Sequence, residues 1–173
     1  LAMAQRANGF DIEVYAIDRP DRFEEKRRQV KTLGVKLVAD QDSLIEVCDI
    51  LSFHVPATDQ TRNMVNANFL SKLAPGTIII NTSRGDLIDE PALIEAMDKK
   101  DIFVGLDVYR HEPGTAQGEF DSVLARHPNV YGTHHIGAST MQAQIAVAAG
   151  VLEVIDAFTS GHIINCINPS TGQ

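Results

Sequence analysis

The 173-residue sequence is poor in cysteine and has no excess of positive charge. With only two cysteines, Cys48 and Cys166, it lacks the disulfide framework of small secreted domains, so we expect a reducing cytoplasm. A total of 15 Lys and Arg against 23 Asp and Glu gives a net charge of −8, which excludes a general nucleic-acid-binding surface because such a surface needs a basic face. No apolar run approaches the roughly 20 residues of a membrane span. We therefore expect neither a nucleic-acid nor a membrane partner.

Apolar residues make up 44% of the sequence, which is enough for the core of one domain of ordinary size. Strand-like and helix-like segments alternate along the chain, with strands predicted at 12–17, 35–38, 50–53, 77–81, 102–108 and 129–131. This order predicts βαβ units with right-handed crossovers, and hence an α/β fold with a doubly wound parallel sheet. Helix caps are predicted at Asp42, Asp89 and Ser139, and one more strand is possible at 163–167.

The sequence is organised around the stretch 77–85. Its three consecutive isoleucines at 78–80 leave no polar face, which is typical of a strand buried on both sides of a parallel sheet. The run then turns polar and ends with Arg84, a fixed cation, and Gly85, which permits a tight turn. Ligands of open α/β sheets bind just outside the carboxyl ends of the strands. Arg84 is therefore placed to meet an anion, unless it is an ordinary surface arginine on a strand-to-helix loop.

Asp18 ends the first predicted strand. In a dinucleotide-binding fold, an acidic residue at this place bonds the adenosine ribose hydroxyls. Its charge also repels a 2′-phosphate, so Asp18 favours NAD over NADP. An aspartate that merely shapes a turn or caps a helix is the other interpretation.

Three further polar residues, Arg84, Glu112 and His135, follow three different predicted strands. In a parallel sheet these loops emerge at the same edge and can converge. A guanidinium can grip a carboxylate and polarise a carbonyl, a histidine can take or give a hydroxyl proton, and a carboxylate can orient the imidazole. Together they suit the chemistry of hydroxy or oxo acids. Taken singly, His135 also fits a packing role and Glu112 a simple turn.

Several short motifs occur in order: Asn-Thr-Ser-Arg-Gly at 81–85, Gly-Leu-Asp-Val at 105–108, Glu-Pro at 112–113 and His-Ile-Gly at 135–137. They resemble the signature of the D-2-hydroxyacid dehydrogenase family, and matching features cover nearly the whole chain. The resemblance implies a Rossmann-like dinucleotide-binding domain with NAD as cofactor. It also implies a small 2-hydroxy or 2-oxo acid as substrate, with 3-phosphoglycerate expected from the form of the later motifs, and a homodimer formed through this domain.

The resemblance implies a role for each matching residue. Arg84 binds the substrate carboxylate and carbonyl, His135 exchanges the proton, and Glu112 is the partner of His135. His135 is chosen over its neighbour His134 because it directly precedes the Ile-Gly pair. No metal is expected. Cofactor contacts are expected at Asp18 for the ribose, at Val55, Pro56 and Thr61 on the adenine and pyrophosphate side, at Thr82, Ser83, Arg84 and Asp107 around the nicotinamide, and further at His135 and Gly137.

One feature of the family is missing, because the sequence contains no G-x-G triplet. In the family, a first strand and a glycine-rich turn hold the pyrophosphate with backbone amides and a helix N-terminus. We therefore expect residues 1–160 to be a partial dinucleotide-binding domain that lacks its first strand and glycine-rich turn, with 161–173 returning toward an absent substrate domain. Two alternatives to a dehydrogenase stay open: an NAD-sensing, corepressor-like binding protein of the same fold, and an inactive fragment.

Overall fold

The computed structural model describes residues 1–19, 24–113 and 120–166. The chain divides into two compact units, Leu1–Gly132 and Thr133–Gln173. The first unit contains the parallel sheets and the helices that connect their strands, and the second contains one long helix. The division between a cofactor-binding part, 1–160, and a return segment, 161–173, concerns function and not compactness, and it stays a prediction.

Strands and helices alternate along the first unit, as the sequence predicts. The strands are β1 (Tyr15–Ile17), β2 (Lys36–Val38), β3 (Ile50–Phe53), β4 (Ile78–Asn81), β5 (Phe103–Leu106) and β6 (Val130–Gly132). The helices are α1 (Ala2–Asn8), α2 (Glu24–Thr32), α3 (Gln41–Val47), α4 (Ala67–Ser71), α5 (Glu90–Lys100) and, in the second unit, α6 (Met141–Thr159). A short 3₁₀ turn, Gly85–Leu87, follows β4.

All strand pairings are parallel, which confirms the predicted α/β fold. Strands β3, β4, β5 and β6 form one sheet in that order, and β1 pairs with β2 in a second sheet. Register aligns Ile79 of β4 with Leu51 of β3 and Val104 of β5. The carboxyl ends of these strands therefore lie at one edge, where the polar loops begin.

The core lies mainly on one face of the four-stranded sheet. Ile79 is fully buried and belongs to the same cluster as Leu93 and Met97 of α5. The prediction that the isoleucine strand is buried on both sides is wrong at its start, because Ile78 is 37% exposed. Its register neighbours Ile50 and Phe103 are 42% and 49% exposed, so the described part of the first unit leaves this row uncovered.

Helix caps differ from prediction at two of three positions. Asp89 caps α5 as predicted, accepting a hydrogen bond from the Ala92 amide at 3.3 Å. The cap of α3 is Asp40 and not Asp42, because the Asp40 carboxylate accepts from the Ser43 amide at 2.8 Å. Likewise Thr140, not Ser139, caps α6. Both errors come from choosing between neighbouring residues that are equally able to cap.

The long helix α6 differs from the expectation that no apolar run approaches the length of a membrane span. Its length and apolar composition would allow it to cross a membrane, although core helices of soluble proteins satisfy the same criterion. It carries Glu153 and Asp156, and every hydrophobic side chain of any size on it is exposed or only partly buried.

The possible strand at 163–167 is not present at residues 163–166, and residue 167 lies outside the described residues.

Candidate active site

A buried asparagine shapes the polar turn after the central strand. Asn81 ends β4 with none of its surface exposed, and its amide nitrogen donates to the Arg84 carbonyl at 2.9 Å. Its amide oxygen accepts from the Ser83 backbone at 3.1 Å, and the Ser83 hydroxyl donates to the Phe53 carbonyl at 2.6 Å. A buried amide with both ends bonded fixes the turn. The turn leaves the side chains of Thr82 and Arg84 exposed. A ligand can therefore reach both side chains.

Gly85 allows the Arg84 turn to touch the loop that carries Glu112. A Cβ atom on Gly85 would lie 2.1 Å from the Tyr109 carbonyl carbon and 2.4 Å from the Arg110 nitrogen. Only glycine fits at this approach, since backbone atoms cannot move aside as a side chain can. The contact brings the loops of two predicted catalytic residues together. Glu112 is half-buried in its loop.

A charged network connects the same two loops to a third loop. None of the charged residues in this network was predicted to be functional. The backbone amide of Arg110 donates to Glu90 at 2.9 Å, and its guanidinium donates to the Asn63 side chain. The Nε atom of Arg110 lies 3.8 Å from an Asp86 oxygen, and that oxygen also accepts from Arg62 at 3.1 Å. Asn63 has a φ of 51°, a strained conformation that asparagine tolerates. The sequence does contain a signal for this network, because Asp86 directly follows the motif at 81–85 and Arg110 lies between the motifs at 105–108 and 112–113.

Tyr109 links the end of β5 to the end of β6. It is 6% exposed, and a Cβ atom on Gly132 would lie 1.9 Å from its hydroxyl oxygen. Burial raises the pKa of Tyr109, and the carboxylates of Asp107 and Glu90 raise it further, so its hydroxyl stays neutral. Asp107 is itself 6% exposed, and its amide donates to the Asn81 carbonyl at 3.1 Å. The predicted nicotinamide-side residue Asp107 thus lies beside the Arg84 turn.

Asp18 lies at the carboxyl end of β1, as predicted, but it is already paired. Its backbone amide donates to the Val38 carbonyl at 2.8 Å, which places it at the end of the β1–β2 ladder. The Arg27 side chain of α2 holds both carboxylate oxygens, one through Nε at 2.9 Å and the other through a terminal nitrogen. The hydrogen bonds that Arg27 donates to the Asp18 carboxylate raise the pKa of Arg27. Such a bidentate pair fixes the direction of the carboxylate.

The predicted contacts on the adenine and pyrophosphate side share one loop after β3. The Thr61 hydroxyl donates to the Pro56 carbonyl at 2.6 Å and accepts from the Thr58 amide at 2.8 Å. Val55 is half-buried and Pro56 is exposed. Thr61 therefore closes the loop and keeps Pro56 at the carboxyl edge.

His135 and Gly137 belong to the second unit. His135 is exposed and has a φ of 58°, in the left-handed region that histidine adopts more readily than most side chains. Strained residues of this kind often occur at functional sites. The structure thus brings the loops of Arg84 and Glu112 together within the first unit, and it places His135 on a strained turn of the second.

A parallel α/β sheet with polar loops gathered at the carboxyl ends of its strands has the architecture of a dinucleotide-binding domain. Residues 1–137 match the family described as D-isomer specific 2-hydroxyacid dehydrogenase, NAD binding domain. The chain therefore belongs to the D-isomer specific 2-hydroxyacid dehydrogenase family, and it has the family's Rossmann-like NAD-binding fold.

Relatives with curated functions include two kinds of enzyme. The D-3-phosphoglycerate dehydrogenase of Bacillus subtilis is 36% identical over 168 residues, covering 96% of this chain and 30% of that protein. The hydroxypyruvate reductase of Thermotoga maritima is 39% identical over 154 residues, covering 88% of this chain and 47% of that protein. The chain thus spans half or less of the length of these relatives.

Solved structures agree on the fold. The D-lactate dehydrogenase with NAD+ from Lactobacillus jensenii has a TM-score of 0.79 and 28% identity, covering 95% of this chain and 50% of that one. A glyoxylate reductase from Paecilomyes thermophila has a TM-score of 0.78 and 30% identity, covering 98% of this chain and 48% of that one.

Proposed function

We propose that this chain is the NAD-binding part of an NAD-dependent D-2-hydroxyacid dehydrogenase. The observation that carries the proposal is the contact of Gly85 with the backbone of Tyr109 and Arg110, because it packs the loops of Arg84 and Glu112 together at the carboxyl edge of a parallel sheet. When bound, NAD supplies the hydride acceptor or donor for C2 of the substrate.

Residues of the chain itself bind the substrate, transfer the proton and orient the imidazole. The exposed Arg84 guanidinium grips the substrate carboxylate and polarises the C2 oxygen, since its planar fork matches a carboxylate. His135 takes the hydroxyl proton during oxidation and returns it during reduction. Glu112 orients the imidazole and stabilises its charged form.

The cofactor side fits the same proposal. The Asp18 carboxylate lies at the end of β1, where a ribose hydroxyl would be bonded, and it disfavours a 2′-phosphate. Around the nicotinamide we place Thr82, Ser83, Arg84 and Asp107, with His135 and Gly137. On the adenine and pyrophosphate side we place Val55, Pro56 and Thr61.

The substrate we propose is 3-phosphoglycerate, acted on by a cytoplasmic homodimer. The Bacillus relative supports this choice of substrate, while the Thermotoga relative makes hydroxypyruvate the natural competitor. We further propose that residues 1–160 serve the cofactor and 161–173 lead toward a substrate domain. Steady-state assays of a longer form of the protein with NAD or NADH test the activity, using 3-phosphoglycerate and hydroxypyruvate side by side. A protein that binds NAD but turns over neither acid, nor glyoxylate, would contradict the proposed activity.

Replacing Asp18 is expected to change cofactor preference. Asp18→Ser removes the charge that repels a 2′-phosphate and also releases Arg27, whose guanidinium can then bind that phosphate. We expect the ratio of NADP to NAD affinity to rise by about tenfold or more. Titration calorimetry of the longer protein with both cofactors measures this ratio.

The double variant Asp18→Ser with Arg27→Ala is the matched control for that experiment. It removes the same carboxylate but leaves no guanidinium to bind the phosphate. Most of the gain in NADP affinity should therefore disappear. An unchanged cofactor preference in the single variant would mean that Asp18 only anchors α2.

Glu112→Gln is expected to lower turnover by about tenfold while NAD affinity stays the same. A neutral amide keeps the shape of the side chain but no longer stabilises a charged imidazole. The limb of the pH–rate profile that depends on the catalytic histidine should therefore move to lower pH. If turnover and the profile are both unchanged, Glu112 is only a turn residue.

A further inference from the structure

The loop that carries Glu112 is anchored at Arg110, two residues before the carboxylate. The Arg110 amide donates to the Glu90 carboxylate at 2.9 Å, and its nitrogen also faces Gly85, where an added Cβ atom would lie 2.4 Å away. Both contacts hold the backbone of the loop against the Arg84 turn and the first turn of α5. The loop is therefore fixed at residue 110, before the chain reaches Glu112.

The Arg110 side chain is a second anchor, because its charge is largely buried. The side chain is 24% exposed, and its Nε atom is buried without a hydrogen-bond partner among the described residues. An Asp86 oxygen lies 3.8 Å from that Nε atom, and a terminal nitrogen of the guanidinium donates to Asn63. A buried cation is stable only when a nearby charge compensates it, so the guanidinium holds the loop to Asp86 and Asn63.

His111, the single residue between this anchor and Glu112, changes the direction of the chain. Its φ of 62° lies in the left-handed region, which few residues other than glycine adopt. One such residue turns the backbone sharply, so the direction of the half-buried Glu112 side chain depends on the orientation of the peptide at residue 110. A small rotation at Arg110 therefore displaces the Glu112 carboxylate.

We propose that Arg110 is a positioning residue for the reaction. It fixes the loop at residues 109–110, and the Glu112 carboxylate is thereby held where it can orient the catalytic imidazole. This inference rests on the proposed function, because it gives Arg110 a task in the same hydride transfer. In this role Arg110 contacts neither substrate nor cofactor, and it acts only through Glu112.

The charge of Arg110 is the other way in which this side chain could change the reaction, and the two effects have opposite signs. Removing a positive charge near a histidine favours the charged imidazole and moves its limb of the pH–rate profile to higher pH. Displacing the Glu112 carboxylate withdraws stabilisation from the charged imidazole and moves the limb to lower pH. The direction of the shift therefore separates position from charge.

Arg110→Ala in a longer, active form of the protein is expected to lower kcat by about three- to tenfold and to leave NAD affinity unchanged. The histidine limb of the pH–rate profile should move to lower pH, in the same direction as for Glu112→Gln. Arg110→Lys keeps a cation that can reach Asp86, so it should show both effects to a smaller extent. This milder variant stays informative if Arg110→Ala does not fold.

Arg62→Ala is the matched control. Arg62 donates to the same Asp86 oxygen at 3.1 Å, but it is 52% exposed and belongs to the loop after β3. Its loss removes a positive charge from the same carboxylate and leaves the contacts of Arg110 with Glu90 and Asn63 in place. It should keep kcat within about twofold and should not move the histidine limb to lower pH.

The double variant Arg110→Ala with Glu112→Gln tests whether Arg110 acts through Glu112. Losses from two residues that act through one step do not add, so the double variant should show the kcat and the limb of Glu112→Gln alone. Melting curves measured beside the kinetics record stability separately. A purely structural role lowers the melting temperature without moving the pH–rate profile.

Results of two kinds would overturn the inference, and they differ in the behaviour of Glu112→Gln. If Glu112→Gln moves the limb to lower pH but Arg110→Ala leaves it in place or moves it to higher pH, Arg110 has no positioning role and the proposed function stands. Additive losses in the double variant, or an equal shift in Arg62→Ala, lead to the same conclusion. If Glu112→Gln also leaves the profile unchanged, the proposed role of Glu112 fails, and that of Arg110 fails with it.

Discussion

Arg84→Lys is expected to lower kcat/KM for a D-2-hydroxy acid by about two orders of magnitude or more in a longer, active form of the protein. Lysine keeps the positive charge but loses the planar fork that can hold a carboxylate and a carbonyl together. The Arg84 side chain is exposed, and its guanidinium donates to the neighbouring Ser83 carbonyl at 2.6 Å, so the variant should fold normally. Steady-state kinetics and NAD titration, run in parallel, separate the loss of chemistry from any loss of cofactor.

Arg126→Lys is the matched control for Arg84→Lys. Arg126 is 67% exposed and pairs with Asp121 at 2.7 Å, outside the proposed site. Its replacement should leave kcat/KM and NAD affinity unchanged. Near-normal turnover by Arg84→Lys would remove Arg84 from the site, whereas a matching loss of NAD affinity would give it a cofactor role only.

Gly85→Ala is expected to destabilise the fold by about 3 kcal/mol, because the added methyl group overlaps backbone atoms of Tyr109 and Arg110. For a chain of this size, such a loss lowers the melting temperature by roughly 10 °C. The same change should separate the loops of Arg84 and Glu112 and so reduce activity. Calorimetric or circular dichroism melting curves measure the stability.

Gly150→Ala serves as the comparison for Gly85→Ala. Gly150 lies within α6, and a Cβ atom there would meet nothing within 4 Å. Because alanine favours a helix over glycine, this variant should be unchanged or more stable by up to about 1 kcal/mol. If both variants melt together with the parent protein, the tight contact at Gly85 does not exist in solution.

The position of the Arg84 turn could be predicted because its causes are local. Three isoleucines followed by polar residues fix where β4 ends, and in a parallel sheet the end of a strand is where ligands bind. The same local evidence could not show that both ends of the Asn81 amide are hydrogen-bonded within the turn. That fact depends on burial by neighbouring elements, and Asn81 is fully buried.

Other features depend on which elements lie side by side, and sequence periodicity carries no such information. The pairing of Asp18 with Arg27 requires the orientation of α2 against the end of β1. The network of Arg110 joins residues 20 to 47 positions apart. The exposure of Ile78 reflects missing cover on one face of the sheet, which an all-apolar run cannot reveal. The role of His135 stays a prediction.

The network around Arg110 also bears on how this edge of the protein moves. Its hydrogen bonds and ion pairs connect the loop at Asn63, the turn at Asp86 and the first turn of α5 at Glu90. Segments that share one set of contacts tend to open together and not one by one. In hydrogen exchange, amides of the three segments should therefore report a common opening free energy, and Arg110→Ala should split it into separate values. A frame that opens as one body keeps these three segments in fixed relative positions between openings.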